Sequence, residues 1–115
     1  MHNNVYRFSF DSTVPLMEAE LTLNLAVVAT QGIYGEARVR TDVAYHVDEP
    51  RSVIYIDGTT ETGSALVRVF TAFALHMFGP DAFQVRRVNG FGQPIGGPSV
   101  LANSGAGLGG KGVSP

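Results

Sequence analysis

The sequence predicts an α+β domain of the ferredoxin-like split βαβ kind, a two-layer sandwich with the order β-α-β-β-α-β. Three observations carry this. Short segments with apolar residues at alternate positions occur near the start, in the middle and near residue 88. Two longer, helix-compatible apolar segments lie between them. After Val88 the composition changes to nine Gly and three Pro in 27 residues, which separates a domain, residues 1–88, from a tail, residues 89–115.

The first strand is VYRFSF (5–10). Tyr6, Phe8 and Phe10 share one face, and Val5, Arg7 and Ser9 the other. The following DSTVP holds capping residues and a proline suited to a first helical turn. Residues 16–31 fit both an alternating and a helical pattern. The cap signal, the length and the MEAEL opening favour a helix, with Gly32 as its stop. EARVRTDVAYHVD (36–48) reads as a long strand, with Ala37, Val39, Thr41, Val43, Tyr45 and Val47 facing in and Arg38, Arg40, Asp42, Ala44, His46 and Asp48 facing out. EPR turns the chain, and SVIYIDG (52–58) returns with Ile54 and Ile56 inward and Val53, Tyr55 and Asp57 outward. TTETG offers N-caps for a helix over 64–79, whose core stripe is Leu66, Val69, Phe70, Phe73 and Met77 and which Gly79-Pro80 ends. FQVRRV (83–88) is the last strand.

The chain of 115 residues is long enough for one core and too short for two. It lacks an apolar run of about 18 residues, so no membrane span is expected, and its first residues do not resemble a leader segment. Cysteine is absent, which excludes disulfides, thiol catalysis and thiolate metal sites and fits a cytoplasmic protein. The net charge of −2 is too small to steer a partner. The cations are seven Arg and one Lys, a bias toward side chains that stack and bind in bidentate fashion.

GAGLGGKG (105–112) matches parts of two phosphate-binding fingerprints. Only three residues follow Gly112, so no helix can present its N-terminus to a phosphate, and no nucleotide is expected at Gly105–Gly112. No cofactor or metal motif is found. His76 suits the C-terminal dipole of its helix.

The remaining signals suggest three functions. Residues 64–78 carry one charged side chain, Arg68, and Val67, Leu75 and Phe78 lie outside the core stripe. Residues 21–31 carry no charge. This apolar helix surface predicts a homo-oligomer or a protein partner, hence an interaction or self-assembly module. An enzyme of a ferredoxin-like dimer type would use His46, Asp42 and Asp57 for acid–base work and Arg38 or Arg40 for an anion, with Asp42 opposite Asp57 in one hairpin register and Ala44 opposite Asp57 in the other. A sheet face carrying Arg7, Arg38, Arg40, His46, Tyr55 and Arg86 would suit single-stranded nucleic acid. Residues 91–108 of the tail are expected to pack on helix surface around Leu75 and Phe78.

Overall fold

A computed structural model describes residues 4–91. The elements in order are β1 (Val5–Phe10), α1 (Leu16–Tyr34), α2 (Glu36–Asp42), β2 (Tyr45–Asp48), a single 3-10 turn (Glu49–Arg51), β3 (Val53–Asp57), α3 (Glu61–Phe78) and β4 (Phe83–Val88). The protein is therefore α+β, with one four-stranded sheet in the order β2-β3-β1-β4 and every neighbouring pair antiparallel.

Alternation in β1 sends Phe8 and Phe10 to one face, and the register aligns them with the rest of the core. Phe8 lies opposite Ile54 of β3 and Val85 of β4, and Phe10 opposite Phe83. Phe70 of α3 meets Phe8 edge-on at 4.8 Å, and Phe83 stacks beside Phe10 at 5.9 Å. Leu23, Ile54, Ile56 and Leu66 complete a fully buried centre. Aromatic pairs in such geometry add to the stabilisation from area burial alone.

Helix α1 buries Ala19, Leu23, Ala26 and Thr30, a stripe at spacings of three and four. Thr22 and Thr30 are buried without penalty because their hydroxyls donate to the carbonyls of Glu18 and Ala26 at 2.9 and 2.8 Å. The predicted stop at Gly32 is corrected: α1 continues to Tyr34. The residue that takes a positive φ, +91°, is Gly35, and its N–H closes the helix on the Gln31 carbonyl.

The larger correction concerns residues 36–42, which form α2 and not the first half of a strand. Two i,i+4 ion pairs, Glu36 with Arg40 and Arg38 with Asp42, match a helix surface, and Val39 alone is buried. Only Tyr45–Asp48 remains as strand, with Val47 half-buried and His46 and Asp48 on the opposite face, as the alternation implied. The EPR segment does turn the hairpin, and Ser52 absorbs the reversal with a left-handed φ of +54°.

Helix α3 starts earlier than expected. Thr60 is its N-cap, accepting the Gly63 N–H at 2.9 Å. Its buried side runs through Leu66, Phe70 and Ala74; Val69 and Phe73 are half-buried, and Met77, expected in the core, is exposed. Among the described residues no helix is long and apolar enough to cross a membrane.

Candidate functional site

The face of the sheet opposite the main core carries the side chains of interest. Strand pairing sets four of them in one row. His46 on β2 lies opposite Tyr55 on β3, Tyr55 opposite Arg7 on β1, and Arg7 opposite Arg86 on β4. Around this row Val5, Val53, Tyr55 and Val88 form a second, smaller buried cluster. Phe91, just past β4, folds onto the same face, its ring 6.2 Å from both His46 and Tyr55, which are themselves 6.1 Å apart.

Tyr55 is thus on the predicted face but is not open to solvent. Burial pushes its hydroxyl pKa up, the nearby Arg7 charge opposes this, and the Asp48 carboxylate adds to it. Arg51 lies 3.9 Å from that carboxylate. A ring packed this way is not a free platform for a base, so the predicted stacking role of Tyr55 loses its geometric basis.

Arg38 and Arg40 do not belong to this face, because both lie on α2. Arg38 reaches Asp42 and Glu61 at 3.4 Å each and sits over the Tyr34 ring at 5.1 Å, joining α1, α2 and α3. Arg40 pairs with Glu36. The acid–base cluster separates for the same reason. Asp42 ends α2, where its carbonyl accepts from the Thr60 hydroxyl at 3.1 Å and its carboxylate from Thr62 at 3.4 Å. Ala44, not Asp42, lies beside Asp57: the Asp57 N–H donates to the Ala44 carbonyl at 2.9 Å. His46 stands exposed on β2 beside Phe91. A shallow cleft of about 200 Å³ runs between Ser9–Asp11 and Asp81–Gln84, and none of His46, Asp42 and Asp57 lines it. Among the described residues no three His, Asp or Glu side chains come within reach of one metal ion.

A second surface lies on α1. Met17, Leu21, Leu25, Val28 and Ile33 are exposed, from 58% at Leu21 to 73% at Met17. Met17, Leu21, Leu25 and Val28 follow one another at spacings of four, four and three, which makes a continuous stripe along one side of the helix. Of the residues first expected at an interface, Leu75 is exposed, but Val67 and Phe78 are half-buried and packed on the core, with Phe78 edge-on to Phe10 at 6.2 Å. Phe78 therefore packs inward on the core. Phe91, at the tail's start, lies on the sheet face and not on helix surface. Residues 92–108 and Gly105–Gly112 lie outside the described residues.

The sequence announced the apolar surface of α1 but not which of its side chains are exposed, and it missed the seat of Phe91. The α1 stripe was signalled by the charge-free run from Leu21 to Tyr34. The seat of Phe91 had no signal, since it depends on which strand lies at each edge.

These features define an α+β protein with a cationic, aromatic-flanked sheet face and an uncovered apolar helix. No family model, curated protein or solved structure matches the chain.

Proposed function

We propose that the protein is a self-assembling interaction module of ferredoxin-like topology, acting in the cytoplasm, whose α1 helices pair between two copies. The strand order β2-β3-β1-β4 with antiparallel neighbours supports the topology, α2 being an insertion before the hairpin. The cysteine-free composition supports the location.

The observation that carries self-assembly is the exposed stripe on α1. A surface helix of a monomer turns a polar side to water, whereas α1 is apolar on both sides. A second copy is the occupant that suits it. The stripe is uncharged from Leu21 onward and runs from Met17 to Val28, so an antiparallel partner helix about a two-fold axis at its middle sets Met17 beside the partner's Val28 and Leu21 beside the partner's Leu25. The four side chains of the stripe expose roughly 100 Å² each, so two copies bury about 800 Å² from the stripe alone, the range of a weak, concentration-dependent pair.

The test is sedimentation velocity from micromolar to millimolar concentration, with Leu21→Glu/Leu25→Glu as the variant. Both leucines are exposed, so the fold should persist by circular dichroism. The wild type should sediment as a dimer and the variant as a monomer. A wild type that stays monomeric over the whole range, or a variant that still dimerises, overturns the proposal.

A further inference from the structure

We propose that Arg7 and Arg86, strand partners on the sheet face opposite the main core, form a binding site for a phosphomonoester. This site is on the other side of the sheet from α1, and its case does not depend on self-assembly.

The argument starts from a charge imbalance. All ten carboxylate side chains of the protein lie within residues 4–91, and residues 82–115 contain none. The ion pairs among the described residues involve Glu36, Asp42, Asp48 and Glu61, and none reaches Arg7 or Arg86. Arg7 and Arg86 are nevertheless direct partners across β1 and β4. Like charges in that position repel one another and weaken a sheet. Arg7 is also half-buried on a central strand, and its Nε is buried with no hydrogen-bond partner. An unmet buried donor on a charged group destabilises a fold, and a valine or leucine would fit the surrounding cluster of Val5, Val53, Tyr55 and Val88 better. Two arginines paired across adjacent strands, with no ion pair to either among the described residues, match an external dianion, which would relieve both defects at once.

The chemistry of the ligand follows from charge and surroundings. Guanidinium groups bind phosphate in bidentate fashion. A phosphomonoester carries a charge of about −1.5 to −2 near neutral pH, which balances two arginines better than a single carboxylate does. The exposed rings of His46 and Phe91 flank the same face, so a flat or apolar group attached to the phosphate finds a surface to rest on.

The experiment uses the full chain labelled with nitrogen-15, in phosphate-free buffer of low ionic strength, with the arginine Nε–H signals observed by NMR. Phenyl phosphate and inorganic phosphate are titrated separately, together with an octauridylate lacking terminal phosphates. The Arg7 Nε–H signal should shift saturably with phenyl phosphate, and more weakly with inorganic phosphate. Arg86→Gln, an exposed change, should weaken phenyl phosphate binding about tenfold, and Arg7→Leu should abolish it while leaving the fold intact. Phe91→Ala should narrow the difference between the two phosphates. A non-saturating or absent shift at Arg7, or affinity unchanged by Arg86→Gln, overturns the proposal. So does tighter binding of the octauridylate than of phenyl phosphate, which would make this face a reader of nucleic-acid backbone.

Discussion

Replacing Gly63 with alanine tests how α3 is joined to the sheet. Gly63 sits in the first turn of the helix, and a Cβ there would lie 2.3 Å from the Asp57 carbonyl oxygen, against an ordinary contact of 3.4 Å or more. About 1.1 Å of separation must therefore open between two pieces of backbone. Neither yields easily. Asp57 is held by its N–H on Ala44 at 2.9 Å, and the helix start by the Thr60 cap at 2.9 Å. Overpacking of this kind costs about 1–3 kcal/mol, and a disturbed N-cap adds about 0.5–2 kcal/mol. Alanine's better helix propensity offsets about 1 kcal/mol of this. The net expectation is a destabilisation of roughly 2 kcal/mol, or about 10 °C in melting temperature for a domain of this size. Gly32→Ala is the matched control, because a Cβ on that exposed helical glycine meets nothing within 4 Å; it should stabilise by about 0.5–1 kcal/mol. Thermal melts by circular dichroism at the lowest workable concentration keep association out of the comparison. If Gly63→Ala melts at or above the wild-type temperature, α3 does not start against the end of β3 and the packing described here is wrong.

Phe70→Ala should cost about 3–5 kcal/mol, since it removes a fully buried ring that meets both Phe8 and Phe10; urea denaturation measures it, and a loss below 1 kcal/mol would mean that these rings are not a common core. Tyr55 should ionise at a higher pH than an ordinary tyrosine because burial disfavours its phenolate. A folded pKa above the unfolded value of about 10 means that the unfolded chain loses the proton first. The associated stability is therefore fully present below about pH 10 and is lost as the pH rises through the folded pKa. Absorbance titration at alkaline pH should show a late-ionising tyrosine that disappears in Tyr55→Phe, and an unchanged titration would contradict the burial of that ring.

Local pattern was enough to find β1, β3, β4 and α3, whereas α1, whose apolar residues also alternate, needed its cap signal and its length. At residues 36–42 local pattern misled. Glu-Ala-Arg-Val-Arg-Thr-Asp alternates as well as any strand, and in seven residues only the charges at i and i+4 distinguish the helix. Misplacing that segment put Arg38, Arg40 and Asp42 on the sheet beside His46 and Tyr55, from which α2 separates them. Alternation did assign Arg7, His46, Tyr55 and Arg86 to one face. It could not show that they form a row, because adjacency across a sheet depends on strand order and register, which are long-range properties. The burial of Tyr55 was hidden for the same reason, since the residues that cover it come from β1, β4 and the segment after β4.

The central position of β1 has a consequence for synthesis. Of the four strands this one is made first, yet both of its neighbours are made much later: Val53 comes 43 residues after Phe10, and Phe83 comes 73 residues after it. At about 5–20 residues per second, Tyr6, Phe8 and Phe10 wait about 2–9 s for a partner on one edge and about 4–15 s on the other. Helix α1 is the first element available to shelter them, and its long apolar surface can do so before any strand pairs. The nascent chain thus passes through a period in which an aromatic strand and a largely apolar helix have mainly each other for company. Conditions that slow translation between residues 34 and 53 lengthen that period and favour capture by other chains over folding.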